Sequence, residues 1–326
     1  MKKIFITGGA GYVGSKLVPK LLDLGHKITV LDLMIYGDNV LDDHERLTKI
    51  KGDIRDNKLL EKIIPGHDSL IHLACISNDP SFKLNPSLGK SINYDAFEPL
   101  VKTSVKNKVN RFIYASSSSV YGIKKEKNVT EDMKLEPLTD YSRFKGECEK
   151  ILNSYKSDDF ITTTIRPSTV CGYAKRQRLD LVVNILTNHA FHNREIKVFG
   201  GNQLRPNVHI NDMADSYLAI LNANPNKING QIFNIGFKNQ PVNELANDVK
   251  EVIGEDIKII NTRSDDNRSY HVSSEKIKDI LGFETKYTVK DAVLDLKNAF
   301  EKKLLTNTFN DEFFFNIKRM NNINLR

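Results

Sequence analysis

The chain has 326 residues, 48 Lys plus Arg against 41 Asp plus Glu, a formal net charge of +7, and 40% hydrophobic side chains. That length allows one large or two moderate domains with a substantial core. The mild, dispersed positive charge matches no nucleic-acid-binding module. Cys75, Cys148 and Cys171 lack metal-ligand spacing and cannot all pair, so no metal and a reducing cytoplasm are expected. The first residues read directly as a strand, so no signal peptide is expected, and no apolar run approaches the ~20 residues that span a bilayer.

The chain opens with an apolar strand that enters Gly8-Gly9-Ala10-Gly11-Tyr12-Val13-Gly14 and then helix-like sequence over 16–22. Gly8, Gly11 and Gly14 give the spacing of a dinucleotide loop, in which a tight turn lets the backbone approach a pyrophosphate at a helix N-terminus. A second strand over 27–31 ends at Asp32, roughly 20 residues after the glycines, where a carboxylate accepts from the adenosine ribose hydroxyls. The same carboxylate repels a 2′-phosphate, so NAD is expected rather than NADP.

Further strands are predicted over 48–55, 69–75, 111–116, 161–167 and 231–236, alternating with helical segments. This alternation predicts an α/β fold: a Rossmann-type, doubly wound parallel sheet with right-handed crossovers. Gly8, Asp32, Asp53, Ala74, Ser117 and Pro167 all fall at carboxyl ends of strands, where ligands gather in such sheets. After four serines at 116–119 come Tyr141 and Lys145, a Tyr-x-x-x-Lys pair sharing one helix face. An ammonium beside the phenol is expected to pull the tyrosine toward neutrality and make it a base for alcohol oxidation. From about Cys171 the chain is less regular. A smaller, interrupted substrate domain is expected over 171–326, with 1–170 and returning segments near 204–236 forming the NAD-binding domain. The aromatic tail at 309–315 is expected to pack on the small domain.

These motifs occur in the order Thr7 to Gly14, Gly52-Asp53-Ile54-Arg55-Asp56, His72-Leu73-Ala74, Ser116 to Gly122, Tyr141 with Lys145, Arg166 to Gly172, and Arg205 to Asp212. As an ordered set they resemble the extended short-chain dehydrogenase/reductases, in particular the NAD-dependent sugar-nucleotide epimerase/dehydratase family. The resemblance implies catalytic roles for Ser117, Tyr141 and Lys145. It implies cofactor contacts by Gly8, Gly11, Tyr12, Val13, Asp32, Asp53, Ile54, Leu73, Ala74, Tyr141, Lys145 and Pro167. Substrate contacts are implied for Ser77, Asn78, Ser117, Thr169 and Asp180, with Arg205 and Arg268 aimed at the substrate diphosphate. A homodimer through the helix after Leu88 and the one carrying Tyr141 is implied as well.

Ser118 and Ser119 stand where the family's 4,6-dehydratases carry an Asp-Glu pair, and hydroxyls cannot replace that acid–base work. The loop at 76–82, Cys171 and Asp180 resemble dehydrogenases acting on GDP-linked manno-heptose in bacterial capsule assembly. The expected reaction is therefore C4 oxidation of a nucleotide sugar to a 4-keto product. A C4 epimerase, or a non-catalytic NAD-binding scaffold, are the alternatives.

Overall fold

The computed structural model describes residues 1–126, 128–263 and 271–325. Its main sheet has seven strands: β1 (Lys3–Thr7), β2 (Lys27–Asp32), β3 (Leu47–Lys51), β4 (Ser69–His72), β5 (Arg111–Ala115), β6 (Ile161–Pro167) and, far later in the chain, one at Gln231–Ile235. Three more strands, β7 (Thr169–Cys171), β8 (Glu195–Phe199) and β9 (Leu204–His209), precede that late strand, which is β10. Two follow it, β11 (Lys238–Pro241) and β12 (Lys258–Thr262). The spatial order in the large sheet is β10-β6-β5-β4-β1-β2-β3, all pairs parallel. The Rossmann-type α/β expectation holds.

A parallel sheet needs both faces covered, so its inner strands read as continuous apolar runs. Here β5 (RFIYA) and β1 (KIFIT) do so. One face carries the helices Gly14–Asp23 and Ile210–Asn222, through Leu17, Leu21, Met213 and Tyr217. The other carries the helices Phe97–Lys106 and Asp140–Ser154, through Phe97, Leu100, Phe144 and Cys148. Chain order reverses between β1 and β4, which opens a crevice beyond their carboxyl ends.

The fourth strand is shorter than its apolar run, stopping at His72. Leu73 N–H still donates to Thr7 O at 2.9 Å, and then the chain bends around Gly8. Strand β7 pairs parallel with β9, which pairs antiparallel with β11, and β8 pairs with β12. The helices Val182–Asn193, Val242–Ile253 and Val289–Glu301 enclose a second core around Val183, Leu245 and Val293. The tail packs there as expected, with Phe314 beside Leu296 and Phe300. It then crosses back: Met320 is buried in the core beneath the main sheet, among residues such as Phe82 and Leu88. Among the described residues no helix is long and apolar enough to cross a membrane.

Candidate active site

A cleft of about 540 Å³ lies at the crevice. Every candidate named above from Gly8 to Arg205 lines it. Arg268 lies outside the described residues.

One wall is built by backbone. Gly8 has φ +73°, and a Cβ there would sit 2.5 Å from Ala74 N, so only glycine lets the loop and β4 approach this closely. The helix Gly14–Asp23 follows, with Ser15 N–H donating to Gly11 O at 2.8 Å and Leu17 N–H to Val13 O at 2.9 Å, so that Gly11, Tyr12, Val13 and Gly14 border the cleft at its N-terminal end. A dinucleotide pyrophosphate fits this cradle. Asp32 accepts from Ala10 N at 3.0 Å and from Met34 N at 2.9 Å, which fixes the loop against β2. Burial raises its carboxyl pKa, countered by those two N–H groups and by Arg176. Asp53 is bound by Arg55, with Oδ2 2.6 Å from Nη2. Burial pushes the Asp53 carboxyl up, but the Arg55 contacts outweigh it and leave the pKa below its usual range.

Ser117, Tyr141 and Lys145 meet beyond β5. Thr139 caps the helix Asp140–Ser154 in a capping box with Ser142, placing Tyr141 in the first turn and Lys145 one turn on. Lys145 Nζ donates to Ala115 O at 2.7 Å, and Ser117 Oγ lies 2.8 Å from Ser119 Oγ. Behind them, Arg166 and Glu149 form an ion pair at 2.6 Å with side chains 3% and 4% exposed. Ser116 donates to the same Glu149, and Arg166 reaches Tyr121 Oη at 2.7 Å. This brace ties β5, β6 and the Tyr141 helix together.

The expected lowering of Tyr141 by Lys145 is not found. Burial, then Cys75 and Asp79, push the phenol well above its usual value of 10, while the Asn78 N–H and the Arg178 charge pull it back. Burial is the largest influence, and Lys145 Nζ, bonded to the Ala115 carbonyl, stands 5.9 Å from the Tyr141 ring centroid. Asn78 itself has φ 74° and ψ 156°, a region nearly restricted to glycine. Its Oδ1 accepts from Ser81 N at 2.9 Å and starts the helix Asp79–Leu84.

The opposite wall is built by side chains from distant segments. Arg178 Nε donates to Asp180 Oδ1 at 2.9 Å and its Nη1 to Ser77 Oγ at 3.2 Å. Asn316, from the tail, donates through Nδ2 to Ser77 Oγ at 2.9 Å and through its backbone N–H to Asp180 Oδ2 at 3.2 Å. Arg178 and Asn316 were not foreseen as site residues. The Arg176-Gln177-Arg178 run was a visible signal for the first; nothing in the sequence marks Asn316. Tyr12 Oη, donating to Gly172 O at 2.5 Å, bolts the glycine loop to this wall. Among the described residues no cluster of His, Cys, Asp or Glu could hold a metal.

Residues 4–236 match the model of the NAD dependent epimerase/dehydratase family. A UDP-glucose 4-epimerase of Lactobacillus helveticus is 28% identical over 90% of this chain and 94% of its own length. A putative UDP-glucose 4-epimerase of Methanocaldococcus jannaschii is 31% identical over 77% of this chain and 82% of its own. The crystal structure of UDP-glucose 4-epimerase from Thermotoga maritima, with UDP-glucose, superposes with a TM-score of 0.85 at 25% identity, covering 93% of this chain and all of that one (100%). With the glycine cradle, the switch-point cleft and a match over most of its length, the chain belongs to the NAD-dependent epimerase/dehydratase family, and NAD is its cofactor.

Proposed function

We propose that the chain oxidises the C4 hydroxyl of a nucleotide-linked sugar to a 4-keto sugar nucleotide. The observation that carries this reading is the meeting of Ser117, Tyr141 and Lys145 in one cleft with the glycine cradle. Tyr141 takes the proton from the C4 oxygen, and Ser117 hydrogen-bonds that oxygen. Lys145, anchored on Ala115 O, contributes positive charge beside the phenolate and a donor for the nicotinamide ribose. Bound NAD supplies the hydride acceptor. Residues 1–170 with the returning 204–236 hold NAD, and most of 171–326 holds the nucleotide sugar. Gly11, Tyr12 and Val13 flank the pyrophosphate, and Asp32 disfavours a 2′-phosphate. Asp53 and Ile54 border the adenine, Leu73 and Ala74 the path between, and Pro167 the nicotinamide. Thr169, Ser77, Asn78 and Asp180 face the sugar and Arg205 its diphosphate, the role that the family resemblance also gives to Arg268.

For the sugar we propose GDP-manno-heptose and a place in surface polysaccharide synthesis, on the strength of the 76–82 loop, Cys171 and Asp180. The enzyme works as a homodimer through the helices Phe97–Lys106 and Asp140–Ser154. A second reading, C4 epimerisation, is favoured by the UDP-glucose 4-epimerase relatives, since both outcomes begin with the same oxidation. Incubation with NAD and either GDP-manno-heptose or UDP-glucose, followed by absorbance and NMR, separates them. NADH appearing with a C4 ketone supports oxidation; a C4-inverted sugar without net NADH replaces it with epimerisation; no change in any sugar leaves a scaffold.

A further inference from the structure

Arg176 is 4% exposed, lines the cleft, and holds two donor nitrogens, Nε and Nη1, that are buried without a partner. The rest of its guanidinium is fixed. Nη2 donates to Asn316 Oδ1 at 2.5 Å, and the central carbon sits 3.5 Å from the centroid of the Tyr36 ring. The same Asn316 oxygen accepts from Tyr36 Oη at 2.9 Å. The backbone N–H of Arg176 donates to Ser15 Oγ at 3.3 Å, so the residue rises beside the first turn of the helix Gly14–Asp23.

A buried cation with unspent donors is destabilising unless something meets them. The complement of a planar guanidinium fork is a pair of anionic oxygens. Residues 7–15 contain no Lys or Arg, so the glycine cradle offers a pyrophosphate only backbone N–H groups, with the Asp32 carboxylate close by. Lys16, next in sequence, is not among the residues that line the cleft.

We propose that Arg176, carried on the wall opposite the glycine cradle, is the pyrophosphate-binding cation of the NAD site, and that Asn316 of the C-terminal segment is the positioning residue that aims it. This rests on the reading of the glycine cleft as the NAD site. The substrate's diphosphate offers the same chemistry, but the Ser15 contact and the nearby Asp32 place Arg176 on the cofactor side. A consequence is that NAD spans both walls, with the tail holding the clamp.

The test is titration calorimetry of the full chain with NAD, ADP-ribose, UDP and GDP, and NMR with adenosine, on wild type, Arg176→Gln, Arg176→Lys and Asn316→Ala. Arg176→Gln is expected to weaken NAD and ADP-ribose by roughly 10- to 100-fold, leaving adenosine, UDP and GDP unchanged. Arg176→Lys keeps charge without the fork, should fall between, and serves if the glutamine variant does not fold. Adding Asn316→Ala to Arg176→Gln should weaken NAD no further, although alone it weakens NAD severalfold. Unchanged NAD affinity in both arginine variants, or a loss confined to UDP or GDP, overturns the proposal. Failure of the wild type to bind NAD overturns the cleft reading beneath it.

Discussion

The two walls of the cleft are made differently. On the glycine side, positions are set by backbone: strand register, a turn that only Gly8 can make, and a capped helix that presents Tyr141. On the facing side, Ser77, Arg178, Asp180 and Asn316 are held by side-chain bonds reaching across as many as 239 residues of sequence. A wall fixed by backbone tolerates truncation of a side chain without moving. A wall fixed by side chains changes shape when one is removed. The first should yield chemistry or stability phenotypes, the second changes in tuning and fit.

The largest effect is expected at Tyr141. Tyr141→Phe removes the phenol from a rigid position, so turnover should fall roughly 10²- to 10⁴-fold while NAD titrates as in wild type. Loss of NAD binding in parallel would show that the glycine-side wall is not independent of its side chains.

Next is the brace behind that wall. Removing Arg166 strands the Glu149 carboxylate, which is 4% exposed, and should lower stability by about 3–5 kcal/mol. Denaturant unfolding of Arg166→Ala and of the double variant Arg166→Met/Glu149→Leu checks this, since the double variant should recover much of the loss. Equal losses in both would mean that shape, not the uncompensated charge, is what matters.

The reasons for legibility lie in the same contrast. Gly8, Asp32, Ser117 and Tyr141 could be read because backbone chemistry needs specific residue types at fixed spacing, and the parallel, doubly wound sheet followed from alternation alone; the order of its strands did not. Arg178 and Asn316 could not be placed, because which polar side chains meet across such separations depends on the finished fold. The opposite error concerned Lys145: helix spacing put it near Tyr141, but the Ala115 carbonyl that captures its ammonium comes from another strand.

A smaller effect is expected on acidification. His72 is buried, with Nδ1 2.6 Å from Thr7 Oγ1, and burial followed by the Lys145 charge lowers its pKa from 6.5 to about 3. The native state therefore keeps it neutral while the unfolded chain takes up a proton. Its contribution is fully present above pH 6.5 and is lost progressively as pH falls toward 3, with a slope approaching about 1.4 kcal/mol per pH unit. Between pH 6.5 and 5, before most carboxylates titrate, His72→Asn should show a shallower loss of stability than wild type. Parallel curves would mean that His72 takes up its proton in the folded state.

The finest test joins the two walls. The Tyr141 phenol is raised chiefly by burial, and the side-chain cation that opposes this is Arg178, from the opposite side of the cleft. Arg178 also ties Asp180 to Ser77, so its charge is held in place by the side-chain network. Replacing it with glutamine keeps a donor for Ser77 but removes the positive charge. The phenolate then loses a favourable partner, and the pH at which the base becomes active must rise. In Arg178→Gln the rising limb of kcat/KM against pH should move toward alkaline by on the order of one pH unit, lowering activity at neutral pH and sparing it at high pH. Asp180→Asn, which frees Arg178 from its own carboxylate, should move the limb the other way. If neither profile moves, the phenol is tuned from its own wall by Lys145, and the two sides of the cleft are electrostatically separate.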